Sequence, residues 1–357
     1  MKSKVYFAPF SDGVSIEEQV SAMKRLYDIS EIQKLIDKDD FTAIKVHVGE
    51  KGNITYMNPQ FARLLADEAK KKGANVFLTE TATLYKGERD NSVRHIAHAH
   101  NHGFSIENTG VPFIPVDGLF GNSEIDVEIN AELCKSVKIA ADIVNTDFLF
   151  VISHATGHMV TGLGAAVKNL GMGLASRKGK LRQHSKMKPS VNSYCANCQK
   201  CIKWCPVNAI SSVNNKALID DSKCIGCGEC LTLCRFDAIN FDFGAESEFT
   251  QKFMAEHALG VITNKKDKCM FFNLLINMTS ECDCFNAPQK KILPDVGILA
   301  STDPIAIDKA TMDLTDLILQ SSKHSLNSHY SKLNPMIQLE HGQKIGLGSL
   351  DYELIKI

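Results

Sequence analysis

Between residues 195 and 234 the chain places eight of its 12 cysteines. They form two runs: Cys195, Cys198, Cys201 and Cys205, followed by Pro206, and then Cys224, Cys227, Cys230 and Cys234. Each run reads C-x2-C-x2-C-x3-C. The second repeats the first at an offset of 29 residues (195 to 224, 205 to 234), and Ala209-Ile210 maps onto Ala238-Ile239 at the same offset. A period in this range marks duplicated structural units. The spacing is that of iron–sulfur ligands, because three thiolates set two residues apart wrap one corner of a metal–sulfur cube. Zinc sites instead pair one C-x2-C knuckle with a distant second pair.

The remaining sequence limits where such a unit can work. A chain of 357 residues has room for about two domains. With 44% apolar and 23% charged residues it reads as an ordinary soluble globular protein. A net charge of −1 argues against nucleic acid or a membrane surface as partner. There is no apolar run of the ~20 residues needed to span a bilayer. The N-terminal residues, Met1 to Phe7, are basic, but no apolar segment follows that would make them a secretory signal. Clustered cysteines in such a chain are expected to be reduced thiolates in the cytoplasm rather than disulfides.

On either side of the cysteines, strand and helix alternate. Residues 43–48, 75–79, 147–152 and 296–300 read as strands, with 147–152 apolar throughout and so central in a parallel sheet. Helices are predicted from Pro59 to Lys72, over 89–100, from Gly162 to Leu170, over 248–258 and from Pro304 to about Gln320, the last with Asp303 as N-cap. The fold class is therefore α/β: an open, mostly parallel sheet with helices on both faces. A strand-loop-helix unit after the cysteines makes them an insertion: residues 1–188 and 242–357 form one α/β domain, and residues 189–241 an inserted α+β unit. Arg177, Lys178, Lys180, Arg182, Lys186 and Lys188 precede that unit as a basic run, either a solvated linker or a docking surface for an acidic partner.

Each cube takes four thiolates, and in the two-cluster arrangement the fourth comes from the other motif. Cys195, Cys198, Cys201 and Cys234 are thus assigned to one 4Fe–4S cluster, and Cys224, Cys227, Cys230 and Cys205 to a second. Residues 193–240 resemble the bacterial ferredoxin family, with Arg235 where Pro often follows the fourth cysteine. The resemblance implies low-potential one-electron transfer. Of the other cysteines, Cys134 reads as a small buried apolar residue. Cys282 and Cys284 form a C-x-C pair that, with Cys269, is a candidate third metal site; ordinary buried cysteines or a redox-labile pair are the alternatives.

Ligands of open α/β sheets bind at the carboxyl ends of the strands. There the sequence sets His47, Gly49 and Glu50 after one strand, and Glu80, Thr81, Tyr85 and Arg89 after the next. His154 and His158 follow the apolar strand, Lys168-Asn169 lie on the helix beyond, and Ser301, Asp303 and Asp308 follow the last. His154, His158, Lys168, His47 and Glu50 are the candidate catalytic residues. Residues 162–167 lack the third glycine of a dinucleotide fingerprint, and residues 173–181 lack the Ser or Thr of a P-loop, so neither nucleotide is expected.

Over most of the chain, from about residue 44 to 310, these motifs resemble the family called "domain of unknown function 362": His154-Ala155-Thr156-Gly157-His158, then residues 162–173, Cys282-Asp283-Cys284 and residues 295–308. That family supplies a fold and an iron–sulfur assignment but no reaction. The expectation is a cytoplasmic iron–sulfur protein exchanging electrons between a redox protein and a small molecule or bound metal in the strand-end crevice. A non-catalytic electron carrier, or a metal-handling or cluster-assembly protein using Cys269, Cys282 and Cys284, are the alternatives.

Overall fold

The computed structural model describes residues 2–184, 189–224, 228–240, 247–265, 267–321 and 333–357. Cys227, a predicted cluster ligand, and Lys186 and Lys188 of the basic run lie outside the described residues.

Seven strands make the main sheet, in the order Tyr352–Lys356, Ser3–Pro9, Gly297–Ser301, Cys269–Leu275, Phe148–His154, Phe41–Lys45, Asn75–Thr79. All pairings are parallel except the two made by Gly297–Ser301, which runs against both neighbours. Phe148–His154 is buried at every position. Its side chains alternate between two apolar cores: Phe148, Phe150 and Ile152 enter one, Leu149 and Val151 the other. Successive residues of a strand point to opposite faces, so an unbroken apolar run is what a sheet covered on both sides requires. Helices Ile16–Ser30 and Pro59–Lys71 cover one face, and Ala166–Gly171, Ser247–Ile262, Pro304–Ser321 and Met336–Lys344 the other.

Two local departures from the expected pattern matter for the site. Residues 156–158 and 162–164 pair as a short antiparallel hairpin, and the helix begins only at Ala166. His154 and His158 therefore do not share a helix face. Because Gly297–Ser301 is reversed, Ser301 and Asp303 lie at the opposite edge of the sheet from the other strand ends. There Asp303 caps the following helix, its Oδ1 accepting from Ile305 N (2.8 Å) and Ala306 N (3.0 Å). Asp308 reaches back to the parallel edge, where its carboxylate accepts from Ala166 N and Val167 N, 2.9 Å each, and so caps the short helix Ala166–Gly171. That helix crosses Ser247–Ile262 at Gly171, where an added Cβ would fall 2.1 Å from Met254 O.

The chain leaves the sheet after Phe148–His154 and returns at Cys269–Leu275. In between, the described residues 190–224 and 228–240 form a small unit with its own strand pairings. Ser190–Val191 pairs with Ile239–Asn240, a hairpin joins Ile210–Val213 to Lys216–Ile219, and two short helices follow the first cysteines of each run. The 29-residue repeat is visible in the backbone. Gln199 and Gly228 are both left-handed (φ 59° and 74°), as are Asn208 and Asp237 (φ 50° and 56°). Among the described residues no helix is long and apolar enough to cross a membrane.

Candidate functional site

The carboxyl ends of the parallel strands open onto a cavity of about 300 Å³, in the range of small-ligand sites. Lys45 ends one strand, Glu80 follows the next, His47 comes from a loop, His158 from the short hairpin, and Lys168 from the helix Ala166–Gly171; all line the cavity. Cys282 and Cys284 join them from the loop after Cys269–Leu275.

This loop is held at each of its three residues. Cys282 O accepts from Phe285 N (3.1 Å) and from Gln289 Nε2 (3.1 Å). Asp283 O accepts from Glu50 N (2.9 Å), and Cys284 O from Tyr85 OH (3.5 Å). The Asp283 side chain turns inward, where Oδ2 accepts from His154 Nδ1 at 2.8 Å, while His154 Nε2 donates to Ile276 O at 2.8 Å. Both ring nitrogens of His154 face acceptors. Burial works against a charged ring, but Asp283 outweighs it and raises the His154 pKa.

His47 Nδ1 accepts from Gly49 N (3.0 Å), a geometry set by the left-handed backbone of Gly49 (φ 78°). His47 Nε2 lies 3.2 Å from Cys284 Sγ and 3.2 Å from Arg89 Nη1. The Cys282 thiol donates to Cys284, which together with Lys168 and His47 holds Cys284 well below the usual thiol range and keeps it a thiolate. That same hydrogen bond, with burial, pushes Cys282 well above it. Burial alone would lower Lys168, but the two cysteine sulfurs raise it.

Behind the cysteines lies a buried ion network. Arg89 donates from Nη1 to Glu80 Oε1 (3.0 Å), from Nε to Glu50 Oε2 (3.2 Å) and from Nη2 to Tyr85 OH (2.6 Å). Burial opposes the Glu80 charge, yet His47, Arg89 and Lys45 hold its pKa well below normal. Burial lowers Lys45 to about 8 and Lys180 to about 8, leaving both able to exchange protons near neutrality. His158 is held well below its usual value by desolvation and by Lys168, which keeps the ring neutral.

The structure thus brings together His47, His158 and Lys168 with Cys282 and Cys284. Glu50 braces Arg89, and His154 is a clamp for Asp283 rather than a free acid or base. Cys269 starts its strand, beside Lys265, at the edge away from the cavity. A strand of seven residues separates it from Cys282 and Cys284, so the three do not form one site. Among the described residues no three His, Cys, Asp or Glu side chains converge to hold a single ion. Lys45, Lys180 and His184 also line the cavity, and nothing in their sequence positions marks them for it. Lys45 is one cation in an apolar strand. Lys180 sits in the basic run, whose described residues are neither linker nor docking surface. They form the helix Arg177–Gln183, capped by Ser176, with Arg177 buried and Lys180 donating to Thr81 Oγ1 and Ala82 O at 2.5 Å each.

In the small unit, Cys195, Cys198, Cys201 and Cys234 line one pocket together. Backbone N–H groups point at three sulfurs: Ala217 at Cys195 (3.4 Å), Ala209 at Cys205 (3.2 Å) and Ala238 at Cys234 (3.4 Å). The last two repeat the 29-residue offset. Gly228, in the second cysteine run, lies against Leu181 of the helix that carries Lys180; a Cβ there would be 2.6 Å from Leu181 Cδ2.

A model of the family described as domain of unknown function (DUF362) matches residues 42–313. Hydrogenase-4 component A of Escherichia coli K12 is 35% identical over 68 residues, covering 17% of this chain and 33% of that protein. A subunit of the ion-translocating oxidoreductase complex of Methanosarcina acetivorans is 44% identical over 45 residues, covering 13% of this chain and 17% of that protein. The chain therefore spans a third or less of the curated relatives it matches. Among solved structures, the lactate racemase apoprotein of Thermoanaerobacterium thermosaccharolyticum shows a TM-score of 0.37 at 15% identity, over 65% of this chain and 49% of that one. A Thermotoga maritima protein shows 0.43 at 11%, over 87% and 60%.

Proposed function

The chain belongs to the DUF362 family, and for it we propose an iron–sulfur redox protein in which residues 189–241, an inserted ferredoxin-like unit, supply electrons to the cavity at the strand ends. The observation that carries the reading is the pocket lined by Cys195, Cys198, Cys201 and Cys234, a set drawn from both motifs, as crossed ligation of two cubes requires. Cys205, Cys224, Cys227 and Cys230 would hold the second cluster. When bound, 4Fe–4S clusters supply low-potential one-electron transfer. The N–H groups of Ala209, Ala217 and Ala238 would stabilise negative charge on the sulfurs they face.

The names of two relatives, a hydrogenase component and a subunit of an ion-translocating oxidoreductase complex, agree with a redox role and with a redox protein as partner. The contact of Gly228 with Leu181 supports a route, since Lys180, next to Leu181 on that helix, and His184 at its end line the cavity. There His47 and Lys168 hold charge at Cys284, and His158 lines the same wall. The reaction class is reduction or reductive activation of a small molecule.

Iron and sulfide analysis of anaerobically purified protein tests the cluster assignment. About eight of each per chain are expected, falling to about four in Cys234→Ser and in Cys205→Ser. Zinc without sulfide would refute the assignment. Lys168→Ala and His158→Ala should leave the cluster absorbance intact and abolish turnover; unchanged turnover in both removes the cavity from the function.

A further inference from the structure

The cavity holds a feature that electron delivery alone does not explain. Two cysteines, separated by one residue, share its wall with Lys45, Lys168 and Lys180. The i to i+3 hydrogen bond from Phe285 N to Cys282 O makes residues 282–285 a tight turn. Two residues of chain span at most about 7 Å even when extended. A turn shortens that further, into the ~4.4–6.8 Å Cα separation that a disulfide needs. The loop backbone is fixed from outside by Glu50, Tyr85 and Gln289, and its side chain Asp283 by His154, so the sulfurs stay together whatever their bonding state. One sulfur, Cys284, faces His47 Nε2 at 3.2 Å; the other, Cys282, is buried behind it.

We propose that Cys282 and Cys284 form a dithiol–disulfide couple, a two-electron store at which a small disulfide is reduced. This rests on the reading that the inserted unit supplies the electrons. The pair matches two one-electron deliveries to a two-electron reaction. The asymmetry of the two thiols fits their roles, since a stabilised thiolate attacks and a protonated neighbour resolves.

The steps balance. Cys284 thiolate attacks one sulfur of the substrate disulfide; that S–S bond breaks, one half leaves as thiolate, and the other stays bonded to Cys284. Cys282 then attacks the Cys284 sulfur and gives up its proton to a departing thiolate. The second half is released and the Cys282–Cys284 bond forms. Two electrons from a low-potential donor protein, arriving through the inserted unit, with one proton at Cys282, reopen the bond. The pair returns to one thiol and one thiolate.

The experiment poises the full-length, anaerobically purified protein in buffers of oxidised and reduced dithiothreitol, then traps thiols with iodoacetamide and weighs the peptide containing residues 282–284. Both cysteines should change together, and the ratio of alkylated to disulfide peptide should shift tenfold for each ~30 mV of poise, the two-electron slope. Cys282→Ser and Cys284→Ala should each leave one thiol whose alkylation ignores the poise. A wild-type peptide fully alkylated at every poise, or one that loads a single cysteine, overturns the proposal. A second arm replaces dithiothreitol by a reduced ferredoxin-type protein. If dithiothreitol opens the disulfide and the ferredoxin does not, the couple stands and the electron-delivery reading falls.

Discussion

At Glu80 four positive or proton-donating groups meet one buried carboxylate: Arg89, Lys45, His47 and His95. Removing one partner of such a network leaves the others uncompensated, so Glu80→Gln should cost about 3–5 kcal/mol in denaturant unfolding. The pH dependence has a definite sign. The folded pKa of Glu80 is depressed, so its contribution is complete above the unfolded value near ~4.3 and is lost as pH falls toward the folded one. The gap between wild type and Glu80→Gln should shrink from pH 7 to pH 3; a constant gap would show that the carboxylate's charge is not what the site uses. His154→Ala removes two hydrogen bonds and leaves Asp283 without its partner. A loss of about 1–3 kcal/mol is expected, with cluster absorbance unchanged. Loss of the clusters would instead make His154 part of the inserted unit's stability.

The elements divide into those a local pattern specifies and those only packing specifies. Phe148–His154 is legible because an apolar run this long has few other uses, and the helix after Asp303 because its cap and proline are adjacent in sequence. The helix Ala166–Gly171 starts later than its sequence suggests because its cap is Asp308, distant in sequence, while residues 162–164 are spent in a hairpin. Ser3–Pro9 and Tyr352–Lys356 carry no strong signal, since they are specified by pairing with each other and, for Ser3–Pro9, with Gly297–Ser301. Of the site, His47, His158, Lys168 and the C-x-C pair can be read from position after strands. Lys45, and Lys180 in a basic helix, cannot, because charge along a sequence does not show which way a side chain turns. Gly171 is the clearest packing constraint on an element. Gly171→Ala would force Ala166–Gly171 away from Ser247–Ile262 and should cost about 1–3 kcal/mol in thermal or chemical unfolding. A neutral result would mean the two helices can separate freely.

On the scale of the whole molecule, one sheet organises both the cysteine-rich unit and the cavity. Its strands lie on either side of the cysteine-rich unit in sequence, and their carboxyl ends build the cavity. The helix Arg177–Gln183 touches the unit through Leu181 and the cavity through Lys180. Under the proposal, electrons held by the unit are spent at Cys282 and Cys284. Anaerobic reductive titration, after oxidation with a small disulfide, counts those electrons directly. With one electron per cluster and two per disulfide, wild type should take about four per chain and Cys284→Ala about two. A wild-type protein that takes no more electrons than Cys284→Ala would contradict the account.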